Sequence, residues 1–346
     1  MHSSLLSCSR LFLILLSLFL TGLAQGNEVL RVLAWPGYAD KDIVQQFEQR
    51  YQVHVEVTTV DNDETLWQRL TANQGRDFDV FAVNTAELQR YIDSGFTLGL
   101  DLDRIPNTRK QLPGFRDLAK IPGITRGGRP HAIPYTYAQM GLIYNRKLLR
   151  EAPDSIQALW DPRYRGQVLV FDGGSHNFSL AALARGRPPF RFEDRDWHPA
   201  LERLIALRRN ALSFYTQPEE VVEMFRDNQV ALVFANYGSQ QVKALENAGA
   251  DIGYVIPKEG ALAWLDCWVI NRQSKQRKLA ETWINYTLES PVSKALTLRH
   301  GLANTLENTT HGTADGSIIW LEPVEDIKRR EKLWSRIRSG DRLERF

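Results

Sequence analysis

Hydrophobic and polar residues between positions 29 and 95 follow two different periods, which predicts strands that alternate with helices. The segments 29–34 and 79–83 are short apolar runs, and 53–58 alternates residue by residue, as strands do. Between these segments, apolar residues recur every three or four positions, which is the spacing of an amphipathic helix. This strand–helix–strand–helix–strand order predicts an α/β fold with an open, mainly parallel sheet.

A second group of strand patterns follows residue 140. Apolar runs at 167–171, 230–234 and 252–256 end in turn residues, and helical patterns separate them. Because 346 residues exceed what a single hydrophobic core usually supports, we expect two lobes. The predicted lobes are 25–136 with 266–310, and 137–265 with 311–346.

The segment 260–270 is apolar except for one carboxylate, Asp266. An ionised aspartate in a buried strand is costly unless it is paired or meets a cation. Trp264 lies two residues earlier, on the same face of the predicted strand, and a carboxylate beside an aromatic ring suits an organic ammonium. The alternative is that Asp266 pairs with one of the chain's 43 Lys and Arg side chains. The pattern alone leaves both interpretations open.

The N-terminal segment 1–24 has a polar start, an apolar core too short to span a bilayer, and the small residues Gly22 and Ala24. These features predict a secretory signal peptide that is cleaved near Ala24. Loss of Arg10 with this segment reduces the formal net charge from +2 to +1. Such a nearly neutral chain argues against a nucleic-acid partner.

Metal, cofactor and catalytic chemistry find little support in the sequence. Only Cys267 would remain after cleavage, so we expect no internal disulfide, and an unpaired cysteine in an apolar strand favours core packing. The seven histidines are scattered without metal-ligand spacing. Neither a Gly-x-Ser-x-Gly elbow nor a paired acid and base is visible. We therefore expect a protein without a metal, a cofactor or an enzymatic activity.

Five segments carry a resemblance to the spermidine/putrescine-binding proteins of bacterial ABC importers, within family 1 of the extracellular solute-binding proteins. They are 33–38, 62–65, 132–135, 159–166 and 257–266. The resemblance implies a two-lobed, type II-like periplasmic binding protein fold. In this fold each lobe is a mixed, mainly parallel sheet flanked by helices, and the ligand cleft lies between the lobes.

The resemblance also implies a ligand site. In the family, the aromatic residues that match Trp35, Tyr38 and Trp264 line a slot for a methylene chain, and the carboxylate that matches Asp266 holds an amine. The turns after the predicted strands add further candidates, because ligands of parallel sheets bind beyond the carboxyl ends of the strands. The full set of expected ligand-binding residues is Trp35, Tyr38, Thr85, Asp172, His176, Phe234, Trp264 and Asp266.

Four positions depart from the family pattern, because Ala86 and Phe234 stand where an aromatic residue and a tryptophan are expected, and Gly173 and His176 stand where acids are expected. Polyamine-binding members carry acids after the strand that ends here at Phe171, where this chain has Gly173 and His176. Either the ligand carries fewer amines, or Asp172 and an acid such as Glu322 supply the missing charge, or the ligand is a different small molecule. A neutral His176 accepts a hydrogen bond from an ammonium and a protonated one repels it, so binding is expected to weaken as the pH falls through about 6.5.

The expected function is that of a monomeric periplasmic protein that captures a small cationic amine, such as spermidine or putrescine, and delivers it to an inner-membrane ABC permease. The alternative is a periplasmic polyamine sensor that signals through a membrane-bound receptor. Both functions use the same cleft and differ in the surface that meets the partner.

Overall fold

The computed structural model of the protein describes residues 28–308 and 318–346. The predicted signal peptide lies outside the described residues. The described chain forms two large sheets, each flanked by helices. We call the part built on the sheet that contains the first strand lobe one, and the part built on the other large sheet lobe two.

Short strands and helices succeed one another along the chain. The strands are β1 (Val29–Ala34), β2 (His54–Thr59), β3 (Val80–Asn84), β4 (Thr125–Arg126), β5 (Arg129–Pro130), β6 (Ile133–Gln139), β7 (Leu142–Asn145), β8 (Val168–Phe171), β9 (Ala211–Tyr215), β10 (Leu232–Phe234), β11 (Ile252–Val255), β12 (Ala261–Ile270), β13 (Ala303–Asn304) and β14 (Ile318–Trp320). The α-helices are α1 (Lys41–Tyr51), α2 (Asp63–Thr71), α3 (Thr85–Asp93), α4 (Pro113–Arg116), α5 (Gly174–Leu183), α6 (Asp194–Asn210), α7 (Pro218–Asp227), α8 (Ser239–Asn247), α9 (Arg277–Thr287), α10 (Ser290–His300) and α11 (Ile327–Arg338).

The sheet of lobe one has the strand order β13-β6-β12-β3-β1-β2, and β14 pairs with the start of β12. Strand β1 is parallel to β2 and β3, because α1 and α2 carry the chain back between them. Helix α1 buries Ile43, Val44 and Phe47 in the core of this lobe. The long strand β12 runs antiparallel to both β3 and β6. The predicted order of strands and helices is confirmed here.

The sheet of lobe two has the strand order β11-β7-β10-β8-β9. Strand β8 is parallel to β9 and β10, whereas β7 is antiparallel to β10 and β11. One core contains Phe178 of α5, Trp197 of α6 and Trp334 of α11. A second core contains Val221 of α7 and Val242 of α8. Lobe two is thus also a mixed sheet flanked by helices, as predicted.

The chain passes between the two cores at β6 and at β12. On the first passage, Tyr137 belongs to the core of lobe one and Met140 to that of lobe two. On the second passage, Leu262 packs in lobe two and Leu265 in lobe one. Trp264 stands between them and contacts both cores. The residues around the predicted amine-binding carboxylate therefore lie where the lobes meet.

The last helix, α11, packs against α5 and α6 of lobe two. Its residues Trp334 and Ile337 are buried in a core of lobe two, whereas β14, in the same predicted segment 311–346, pairs with β12 in the sheet of lobe one. The exact lobe limits stay a prediction. No helix in the described ranges combines the length and the apolar composition needed to cross a bilayer.

Candidate functional site

A cleft of about 590 Å³ lies between the lobes, and its size suits a small molecule. Its walls include the turns that follow β1, β8 and β10 and the residues where β3 leads into α3. This is the edge of the sheets at which ligands of parallel strands bind. Five of the eight expected site residues line the cleft, namely Trp35, Tyr38, His176, Trp264 and Asp266.

Asp266 lies deep in this cleft on β12, opposite Asn84 of β3 and Thr136 of β6. Only 7% of Asp266 is exposed, and its carboxylate accepts a hydrogen bond of 2.5 Å from the Tyr38 hydroxyl. Burial raises the pKa of Asp266 to about 7, although the Tyr38 hydrogen bond acts in the opposite direction. Among the described residues, no Lys, Arg or His pairs with this carboxylate. The structure therefore does not show the internal salt bridge that the sequence left open.

Tyr38 is held in place by its neighbours. Its ring packs edge-on against Tyr135 and Trp268, with centroid distances of 5.4 and 6.2 Å. The turn that leads to it contains Gly37 at φ +85°, and a side chain there would meet the ring of His300 at 3.0 Å. A residue with a Cβ is therefore both strained and obstructed at Gly37. This rigid turn fixes the hydroxyl that orients Asp266.

Two tryptophans provide the aromatic surface. Trp264 lies two residues before Asp266 on the same strand, and its indole N–H donates a 3.0 Å hydrogen bond to the Asn236 carbonyl of lobe two. This bond fixes the ring across the boundary between the lobes. Trp35 follows β1 and lines the same cleft. Rings of this kind can stack on an alkyl chain or attract an ammonium.

The other Asp, Glu, Lys and Arg side chains that line the cleft are all acidic. Asp266 apart, the acids that line it are Asp61, Asp63, Glu87, Glu219, Glu322 and Glu331. Among the described residues, no Lys or Arg lines it. No group of three or more His, Cys, Asp or Glu in the described ranges is arranged to hold a metal ion. This excess of negative charge favours an organic cation as the ligand.

Asp63 is a half-buried acid of the cleft that was not among the expected site residues. It is the first residue of α2, and its carboxylate accepts a 3.0 Å hydrogen bond from the Asn84 amide. Burial is the main cause that raises the pKa of Asp63 to about 7, and the charges of Glu87 and Asp266 add to it. Position 63 belongs to a segment that carried the family resemblance, which was the available signal.

Three expected site residues do not line the cleft. Thr85 is buried and donates a 3.4 Å hydrogen bond to the Leu321 carbonyl, and Phe234 is buried in a core of lobe two. Asp172 accepts a 2.8 Å hydrogen bond from the Trp334 indole and forms a salt bridge with Arg338. Helix α11 therefore satisfies the charge of Asp172, so this residue does not supply the missing cleft carboxylate. Glu322, the other acid considered, does line the cleft.

His176 lines the cleft in the first turn of α5, and its ring packs edge-on against Phe171 at 5.2 Å. Burial, and then the positive charge of Arg330, lower the pKa of His176 to about 4. A histidine with this pKa stays neutral at pH 6.5. The expected weakening of binding through protonation of His176 near pH 6.5 was therefore wrong. The sequence could not show that His176 is buried and lies within reach of the positive charge of Arg330.

The sequence matches one family model and several named proteins. Residues 42–307 match the family model described as bacterial extracellular solute-binding protein. The chain is 24% identical over 280 residues to spermidine/putrescine-binding periplasmic protein 1 of Haemophilus influenzae, covering 80% of this chain and 75% of that protein. It is 23% identical over 357 residues to the putrescine/cadaverine-binding protein of Pseudomonas aeruginosa, covering 94% and 98%.

Solved structures show the same architecture. The spermidine/putrescine ABC transporter substrate-binding protein PotD of Streptococcus pneumoniae superposes with a TM-score of 0.75 at 20% identity, covering 90% of this chain and 99% of that one. The TpPotD lipoprotein of Treponema pallidum gives a TM-score of 0.76 at 16% identity, covering 90% and 100%. These likenesses confirm the predicted two-lobed fold with a cleft between mixed sheets.

Proposed function

This chain belongs to the bacterial extracellular solute-binding proteins, and we propose that it captures a polyamine such as putrescine or spermidine. The family consists of substrate-binding proteins rather than enzymes. Its relatives include the spermidine/putrescine-binding periplasmic protein 1 of Haemophilus influenzae and a putrescine-binding periplasmic protein of Escherichia coli. We further propose that the mature protein, cleaved near Ala24, acts as a monomer in the periplasm and passes its ligand to an inner-membrane ABC permease.

The observation that carries this proposal is the buried carboxylate of Asp266, which has no cationic partner in the described ranges and lies two residues from Trp264 on β12. Removing an ionised carboxylate from water is costly unless a cation compensates it. A ligand ammonium supplies that cation, and the ring of Trp264 offers a face for the ammonium or for the adjoining methylene groups. The remaining acids of the cleft add to the same preference, because no lining Lys or Arg in the described residues opposes it.

Thermal unfolding with a panel of ligands tests the proposed ligand class. Putrescine, cadaverine and spermidine are each expected to raise the melting temperature of the mature protein, whereas the uncharged analogue 1,4-butanediol is not. A ligand present at 100 times its Kd stabilises the folded state by about 2.7 kcal/mol, which is readily measured. Absence of stabilisation by every amine at millimolar concentration would contradict the proposal.

The pH dependence of amine binding is a second test. The pKa values of Asp266 and Asp63 are raised to about 7 by burial, so both carboxyl groups are largely neutral at pH 5.5 and ionised at pH 8. Binding of an ammonium favours the ionised form, so affinity is expected to fall as the pH decreases. A single carboxylate with this pKa predicts about 10–30-fold weaker binding at pH 5.5 than at pH 8.

Titration calorimetry at the two pH values measures this effect, and buffers of different ionisation enthalpy report the protons released on binding. Among the described residues, the charged and titratable groups that interact with one or both aspartates are Tyr38, Glu87, Arg90, Tyr91 and Cys267 of lobe one and Tyr237 of lobe two. His176 contributes little above pH 5, because its pKa is lowered to about 4. Equal affinity at both pH values would show that the carboxylates are already ionised in the free protein.

A further inference from the structure

The cleft end that contains Asp266 has more hydrogen-bond acceptors than donors from the described residues reach. The Tyr38 hydroxyl reaches Oδ2 of Asp266, and Oδ1 of that carboxylate accepts no hydrogen bond within residues 28–308 and 318–346. The Asn84 amide reaches Oδ1 of Asp63, and Oδ2 of Asp63 likewise accepts none from the described residues. Each carboxylate therefore has one oxygen that is available to accept a hydrogen bond from a ligand.

Asn84 brings these two carboxylates together. Its backbone pairs with Asp266 across strands β3 and β12, and its side chain donates to Asp63. The Asn84 side-chain oxygen also accepts a 3.0 Å hydrogen bond from the Glu87 backbone N–H, which caps α3. One residue thus fixes the start of α3 and the position of Asp63 relative to Asp266. The negative charge of Asp266 also acts on Asp63, raising its pKa.

Lobe two provides a third acceptor. Asn236 lines the cleft and is only 5% exposed, and its side-chain oxygen Oδ1 is buried without a hydrogen-bond partner among the described residues. The backbone carbonyl of Asn236 accepts from the Trp264 indole, so the residue is held close to β12. The next residue, Tyr237, has its pKa raised to about 12 mainly by burial, and the charge of Asp63 contributes. A buried amide oxygen left without a donor is costly, which points to a donor on the ligand.

We propose that Asp63, Asp266 and Asn236 form a subsite for one primary ammonium group, in which three oxygens from both lobes accept its three N–H donors. This inference rests on the proposed function and specifies how the ligand is held. Asp63, at the start of α2 in lobe one, then supplies a second carboxylate to the same ammonium as Asp266, and the acids missing at Gly173 and His176 are not replaced by it. Because Asn236 belongs to the other lobe, the ammonium also links the two lobes.

The subsite selects for the number of N–H donors as well as for charge. A primary ammonium offers three donors, a tertiary ammonium one, and a quaternary ammonium none. N,N,N′,N′-tetramethylputrescine retains both positive charges of putrescine but leaves one donor at each end. It is therefore expected to bind at least about 10-fold more weakly than putrescine, because two of the three oxygens at the subsite lose their donors.

The decisive experiment is calorimetric titration of the mature protein with putrescine at pH 8, comparing wild type with Asp63→Asn. The substitution retains the shape of the side chain and an oxygen for the Asn84 hydrogen bond but removes the charge. We expect affinity to decrease about 10–100-fold and the proton release at pH 7 to decrease.

The matched control is Glu64→Gln, which removes the same charge from the next residue of α2. Glu64 is exposed and does not line the cleft, so an affinity within about twofold of wild type is expected.

Asn236→Ala tests the subsite from the other lobe and does not depend on the folding of α2. Its backbone carbonyl remains available to Trp264, and binding is expected to weaken about 3–10-fold. If wild type binds putrescine and Asp63→Asn binds equally well, the subsite is wrong and the proposed function stands. Equal losses in Asp63→Asn and Glu64→Gln would also overturn it, because they would indicate a long-range charge effect. If wild type binds no amine, both the subsite and the proposed function are wrong.

Discussion

Replacing Asp266 by asparagine is expected to remove most of the amine affinity and at the same time to stabilise the ligand-free protein. The variant retains an oxygen that can accept the Tyr38 hydrogen bond but cannot form a salt bridge with an ammonium. Losing one side of a buried charged hydrogen bond costs about 2–5 kcal/mol, or roughly 30-fold to several thousandfold in Kd. Titration calorimetry with putrescine at pH 8 measures this loss.

The expected gain in stability follows from the raised pKa of Asp266. In the folded protein this pKa is about 7, against an ordinary value of 3.8. A group whose pKa is raised on folding contributes its full stability below the unfolded-state value and loses that contribution as the pH rises through the folded-state value. At pH 8 the buried carboxylate is ionised without a cation, and Asp266→Asn is expected to increase the free energy of unfolding by about 2–4 kcal/mol.

Urea denaturation of the ligand-free protein at pH 8 and pH 5 separates this effect from other consequences of the substitution. The gain should be large at pH 8 and much smaller at pH 5, where Asp266 is mostly protonated. Asp172→Asn is a matched control, because the Asp172 carboxylate already has Trp334 and Arg338 as partners. This control should lose stability at pH 8. A loss of stability in Asp266→Asn at pH 8 would mean that the ionised carboxylate is compensated in the free protein.

Replacing Arg330 by methionine is expected to destabilise lobe two strongly. The Arg330 side chain is fully buried and donates hydrogen bonds to both carboxylate oxygens of Glu325, each at 2.8 Å. It also donates to the Ser179 hydroxyl and to the carbonyls of Ser175 and Pro189. The bonds to Ser175 and Ser179 connect α11 to α5. Removing one partner of a buried ion pair costs about 3–5 kcal/mol, because the other charge remains buried or must be rehydrated.

Chemical denaturation at pH 7 measures this loss, with Arg329→Met as the control. Arg329 is the preceding residue of α11 and is exposed, and its guanidinium lies over the Trp197 ring at 4.0 Å. Losing this contact is expected to cost less than about 1 kcal/mol. The double variant Arg330→Met with Glu325→Gln should recover part of the stability, since it removes the unpaired carboxylate as well. If Arg330→Met and Arg329→Met were equally stable, the buried network would have no net effect on folding.

The sequence by itself determined the order of strands and helices and the two-lobed class. Periodicity reports which side of each segment is buried, and this information is local. It also identified Asp266 and Trp264, because a single carboxylate in an otherwise apolar strand conflicts with burial wherever that strand lies. The turns that contain Trp35 and Tyr38 were identified for a similar reason, since ligands gather at the carboxyl ends of parallel strands.

Only the tertiary structure decided which of the many acidic side chains lacks a cationic partner among the described residues. Asp172 looked available, but α11 brings Trp334 and Arg338 to it from the far end of the chain. Asp63 was not singled out by the sequence, but Asn84, which pairs with Asp266 across β3 and β12, also donates a hydrogen bond to Asp63. The charge left on a carboxylate depends on its burial and on the donors that approach it, and both are set by contacts between segments distant in sequence.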